Sequence, residues 1–249
     1  MKTLPDVDVG RATGLLYLIV VVSGIFSLAY VPSQLIVPGD GAATFRRIEA
    51  SENLFRLGIA AGFVCYTAFL LLPLAFYKLL AHVDRRAALL MVLFAVASVP
   101  LSLGNLVNKL DVATLISGRS YLRGYSPEQL HAAVMLSLAR YNSGVLVAEI
   151  FWGLWLLPLG YLVFRSRILP RTLGVFLVLG CFGYLIDVFG RTAVPGYATT
   201  TLASLATLPA SIGEIGTCLW LLLFGARKTA GGEANDAFER TAGSELDPN

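Results

Sequence analysis

The sequence predicts an all-α protein, a polytopic membrane helix bundle of about six transmembrane helices with the N and C termini cytoplasmic. Three observations carry that prediction. Of 249 residues, 56% are hydrophobic and only 14% charged, whereas an average soluble domain has about a quarter charged residues. The mean hydropathy is +0.72. Six stretches are long enough to cross a hydrocarbon core of about 30 Å, which takes roughly 20 apolar residues of helix. The near-balance of 19 Lys and Arg against 16 Asp and Glu argues against a nucleic-acid partner.

The first stretch covers residues 13–36. Ser27-Leu28-Ala29 loosely fits a signal-peptidase site, but the apolar run over 14–31 is long for a signal core, and Asp6 and Asp8 precede it. An uncleaved helix is expected. The second stretch, 57–81, carries Gly58 and Gly62, with Tyr66 on the same face. Small residues at this spacing let helix backbones approach closely, either inside the bundle or between copies in a homo-oligomer. The third, 87–108, bears a stripe of Ala95, Ser98, Ser102, Asn105 and Lys109, with Asn108 beside it. Steps of three and four keep that stripe on one helix face.

Ahead of the fourth stretch, 143–164, Ser126-Pro127-Glu128-Gln129 reads as a helix start. Ser126 would cap, Pro127 take the first turn, and Gln129 complete the capping box. Leu130, Val134, Leu138 and Tyr141 follow at helical spacing, as an amphipathic surface helix or as an extension of the fourth span. That span places Tyr141, Glu149, Trp152 and Trp155 roughly on one side. The fifth, 172–192, aligns Gly180, Gly183, Asp187 and Arg191, so Asp187 can pair with Arg191 one turn on. The sixth, 201–224, sets Glu214 near the midplane between Gly213 and Gly216. Pro32, Pro73, Pro100, Pro158 and Pro209 fall within spans, where each removes a backbone hydrogen bond and is expected to kink its helix.

Residues 1–226 therefore form the six-helix transmembrane domain. From Thr229 on, the chain has five acids and one arginine, so 227–249 reads as a disordered acidic cytoplasmic tail. Lys and Arg number eleven on the side of the termini and eight on the other. The short basic turns at 83–86 and 166–171 weigh most under the positive-inside rule, which gives a bacterial cytoplasmic (inner) membrane protein with its two long connections outside. Leu71-Leu72-Pro73-Leu74 recurs as Leu156-Leu157-Pro158-Leu159, 85 residues later, and Arg86 maps onto Arg171 by the same offset. Either spans two and three repeat as four and five, or Leu-rich helices match by chance.

Acidic side chains at membrane depth are costly and face the bundle interior or water. Glu149, Asp187 and Glu214 qualify, with Asn105, Asn108 and Arg191 at comparable depth or on the same faces. Together they are the candidate ligand- or proton-binding residues of a polar cavity between spans three to six, opening outward, with Glu214 at its floor. Arg56 and Arg191 could attract an anionic group at the mouth. The structural alternative ties Asp187 to Arg191 and Glu149 to Asn105 or Asn108, holding helices together.

No catalytic residue, cofactor or metal site is assigned. HExxH, Walker, nucleophile-elbow and Gly-rich dinucleotide signatures are missing. Cys65, Cys181 and Cys218 fall inside apolar spans, and His82 and His131 lie in loops on opposite sides.

The run from Ile150 through Trp152-Gly153-Leu154-Trp155-Leu156-Leu157-Pro158-Leu159-Gly160-Tyr161 to Val163, with Leu169-Pro170-Arg171-Thr172-Leu173-Gly174, Gly183-Tyr184-Leu185, Arg11-Ala12-Thr13-Gly14 and Phe55-Arg56-Leu57-Gly58, resembles the bacterial membrane proteins of domain-of-unknown-function family four-three-eight-six. The resemblance covers about residues 10–226. It implies an integral membrane protein with a multi-span helical body and brings no activity or site residue. Three roles remain open on the sequence. The leading one is a small-solute or proton-linked binding and transport module, with the bilayer and a small-molecule or lipid ligand as partners. The second is a non-catalytic scaffold or partner subunit using the Gly58/Gly62 face and the acidic tail. The third is a membrane-embedded enzyme acting on a lipid.

Overall fold

The computed structural model describes residues 6–226, and the predicted tail at 227–249 lies outside them. Helix accounts for nearly all of the described chain. The first span is α1 (Asp6–Ile25), one π-helical turn (Phe26–Tyr30) and α2 (Val31–Leu35). A short helix α3 (Gly41–Ala50) leads into the second span, α4 (Glu52–Leu80). The third is α5 (Arg85–Asn105) continued by α6 (Val107–Leu115). The fourth is α7 (Pro127–Ser166), the fifth α8 (Arg171–Ala193), and the sixth α9 (Thr201–Leu205) with α10 (Leu208–Phe224). All six are long and apolar enough to cross a membrane.

Local chemistry sets the boundaries. The Asp84 carboxylate accepts from the Arg86 and Ala87 amides at 2.9 and 3.1 Å and starts α5. Ser126 and Gln129 close the reciprocal capping box, Ser126 N–H donating to Gln129 Oε1 over 2.8 Å and Gln129 N–H to Ser126 Oγ over 3.3 Å. From that cap α7 runs unbroken for 40 residues, so the segment after Ser126 is an extension of the fourth span and not a separate surface helix. It ends where Arg167 takes a left-handed φ of 58°.

The prolines act in three ways. Pro73, Pro100 and Pro158 lie inside continuous helices. Pro32 follows the π turn, whose wider winding accommodates its missing N–H. Pro209 sits in the first turn of α10, after a break at Ala206-Thr207, where no intrahelical donor is needed.

The spans close into a ring, with α1 against α4, α4 against α5, α5 against α7, α7 against α8, α8 against α10, and α10 back against α1. Trp155 fills the middle, fully buried, with Tyr17, Phe69 and Phe76 edge-on around it at 5.1–6.4 Å between ring centroids. Outward, Leu15, Leu57, Leu93, Phe182 and Leu223 are among many large apolar side chains left exposed, a surface that belongs against lipid. The first and last spans meet so closely at Gly14 that a Cβ there would stand 2.6 Å from the Leu222 amide nitrogen. Both ends of the described chain therefore lie at one end of the bundle.

Gly58 and Gly62 are buried within the chain. A Cβ at Gly58 would meet the Val31 side chain at 2.9 Å, and one at Gly62 would meet Leu106 and Ser27 at 2.9 and 3.0 Å. Within one chain, residues of the first and third spans therefore pack against this face, as the inside-the-bundle alternative has it.

Candidate functional site

At the bundle end away from the termini, the helices part around a cavity of about 740 Å³. The first span supplies much of its wall, from Leu28 through Pro32 and Ser33 to Ile36, the stretch that includes the end of the π turn and Pro32. The expected cavity between spans three to six omitted this wall. Lys109 of α6, Glu149 of α7, and Asp187 and Arg191 of α8 bring four charged groups to the lining.

The four differ in how they are satisfied. Arg191 Nε donates to Asp187 Oδ2 over 2.6 Å, with the acid side chain 4% exposed and the arginine 42%. The Lys109 residue, 4% exposed, donates from Nζ to the Ser27 carbonyl in the π turn over 3.0 Å. Its ammonium also stands over the Tyr141 ring, 4.2 Å from the centroid, a favourable place for a partly desolvated cation. Glu149 Oε2 is buried without a hydrogen-bond partner, although Asp187 and Arg191 are close enough to act on it electrostatically. Tyr197, in the loop beyond α8, is buried near this cluster, and its burial together with the Asp187 charge pushes its phenol above the ordinary value.

Asn105 and Asn108 stand elsewhere. Asn105 Nδ2 donates to the Tyr141 carbonyl over 2.8 Å, and Asn108 Nδ2 donates to Asn105 Oδ1 over 2.9 Å. They tie α5 and α6 to α7 and line neither of the two cavities described. Nor do they take up Glu149, as the structural alternative supposed. Arg56 pairs with Glu52 at 2.6 Å on the exposed side of α4 and does not line the cavity, although its neighbour Phe55 does.

Glu214 lines a second chamber of about 220 Å³ and not the floor of the first. Leu28, Trp152, Tyr184 and Ser211 line both and form the wall between them. Tyr17 Oη donates to Glu214 Oε1 over 3.2 Å, and Tyr184 is close enough to interact with the same carboxyl. The structure thus gathers Glu149, Asp187 and Arg191 in one cavity, with Glu214 behind a shared partition.

Lys109, Tyr17 and Tyr184 are the functional neighbours that sequence reasoning passed over. Lys109 had a signal, since it ends the polar stripe one turn after Asn105. Tyr17 had a weaker one: it lies about as far from the start of its span as Glu214 does from the end of its own. Among the described residues, no three His, Cys, Asp or Glu side chains gather within reach of one metal ion.

No curated protein and no solved structure matches the chain. The model of one family, described as "Domain of unknown function (DUF4386)", matches residues 12–225.

Proposed function

The chain belongs to that family of integral membrane helix bundles, and from its own residues we propose a small-solute binding and transport module whose ligand enters the 740 Å³ cavity from the outer side. The carrying observation is Glu149 Oε2, a buried carboxylate oxygen left unpartnered on the wall of that cavity. A buried carboxylate without a donor is costly, and a proton, a cation or a ligand N–H removes the cost. Asp187 Oδ1, on the same wall, is likewise buried without a partner although Oδ2 takes the Arg191 bond, so both acids offer an unmet acceptor to a ligand.

The roles follow from position. Glu149 is the proton- or cation-exchanging group, with the Asp187–Arg191 pair holding its surroundings fixed. Lys109 offers positive charge at another point of the same lining, which favours a solute carrying both a donor and an acidic or strongly accepting group. The membrane is read as the bacterial inner membrane, with both termini cytoplasmic.

Transport of small polar solutes by protein in proteoliposomes, with and without an imposed pH gradient, tests the reading. Glu149→Gln is expected to fold, since it retains an acceptor and adds a donor, and to abolish proton-coupled uptake. Wild-type activity in Glu149→Gln would remove the residue from the site. A wild-type protein that binds no solute and only recruits a partner would favour the scaffold reading.

A further inference from the structure

The inner chamber is built from six aromatic side chains, Tyr17, Tyr66, Phe69, Trp152, Trp155 and Tyr184, around the carboxyl of Glu214. Among the described residues, no lysine, arginine or histidine lines it. The acid is held by phenolic hydroxyls alone and has no cation beside it. In a low-dielectric setting a carboxylate so placed needs a proton or a positive charge brought from outside. The surrounding rings are suited to the second, because aromatic faces attract ammonium groups and hold alkylated ones in cages.

The chamber's lining also extends to the lipid-facing surface. Its lining includes Ile25 and Ile215. Ile25 continues the exposed series Leu15, Ile19 and Val22 on α1, and Ile215 belongs with Leu208, Ile212 and Leu219 on α10. Those series are the lipid-facing stripes of the two helices, so the chamber reaches the bilayer between the first and last spans. At about 220 Å³ it is roomier than the ~150 Å³ cavity that admits benzene.

We infer that the inner chamber binds an alkylated ammonium group carried on a membrane-soluble tail, with Glu214 as its counter-charge, the aromatic walls as its cage and the α1–α10 gap as its entrance. This goes beyond the outer-cavity reading and does not need it.

The test uses protein in nanodiscs of digalactosyldiacylglycerol, a lipid with neither charge nor amine. Dodecyltrimethylammonium is titrated below its micelle concentration in protein carrying Trp220→Phe, so that its emission, the readout, comes from Trp152 and Trp155 alone, with uncharged dodecanol as control. Saturable binding is expected, about tenfold or more tighter for the cation than for the alcohol. Glu214→Gln is expected to lose that preference, while Glu149→Gln keeps it, so failure here is distinguishable from failure of the outer-cavity reading. Equal affinity for dodecanol with Glu214 intact would overturn the inference, and this comparison decides even if Glu214→Gln does not fold. Equal affinity for tetramethylammonium, which has no tail, would overturn the route from the bilayer.

Discussion

The Tyr17 hydroxyl, on the first span, donates to the Glu214 carboxyl, on the last, over 3.2 Å, and so closes the helix ring with a polar contact deep among apolar side chains. Tyr17→Phe keeps the ring packing against Phe76 and Trp155 and removes only this donor. A loss of about 1 kcal/mol is expected, in the range of hydrogen bonds between membrane helices. Denaturation in mixed micelles measures it, and an unchanged midpoint would show that the bond adds nothing to stability.

Arg191→Met leaves the Asp187 carboxylate, 4% exposed, without its countercharge. Breaking a buried pair typically costs about 3–5 kcal/mol, but Arg191 is 42% exposed, so water screens part of the interaction and about 2 kcal/mol is expected. The double variant Asp187→Asn with Arg191→Met should recover most of that. If the two single losses simply add, the pair is not coupled.

Gly183 faces the break between α9 and α10, where a Cβ would overlap the Ala206 carbonyl oxygen. Gly183→Ala is expected to destabilise by roughly 1–3 kcal/mol through overpacking against backbone. Gly104 has nothing within 4 Å of an added Cβ, so Gly104→Ala should be neutral or slightly stabilising through better helix propensity. Similar midpoints for the two variants would contradict the close approach at Gly183.

Cys65, Cys181 and Cys218 are all buried, which leaves a quiet background for labelling single added cysteines in intact cells. With the termini inside, Tyr121→Cys in the long connection before α7 reacts with a membrane-impermeant maleimide. His82→Cys, in the short turn between α4 and α5, reacts only after lysis. The reverse pattern would invert the orientation.

The spans were legible in the sequence because hydrocarbon thickness fixes their length and lipid fixes their composition. The α7 start was legible because Ser126 and Gln129 form a local, reciprocal cap. What sequence could not place was the relation between elements far apart in the chain. Glu149 and Glu214 both read as acids at depth, yet which wall separates them depends on how Trp152 and Tyr184 pack between α1, α7, α8 and α10. The first span read as a plain apolar helix, and nothing local announced that its π turn would present the Ser27 carbonyl to Lys109, 82 residues away. Asn105 shared a stripe with Lys109 and Asn108 lay beside it, but Asn105 turns to the Tyr141 carbonyl and Asn108 to Asn105.

The uninterrupted rod of the fourth span, 40 residues from Pro127, measures about 60 Å, nearly twice the hydrocarbon thickness. Gly160 clamps it against Gly174, with room for no side chain between the two backbones, and such a clamp is a natural fulcrum. About 50 Å of stiff helix separates that fulcrum from the capped tip at Ser126, so a tilt of about 5° would swing the tip by roughly 4 Å. Asn105 ties the start of α6 to Tyr141 on that arm, so Lys109 would move with Glu149 and Tyr141 relative to Asp187. Small leverage near one membrane face would thereby change the spacing of the charged groups at the other.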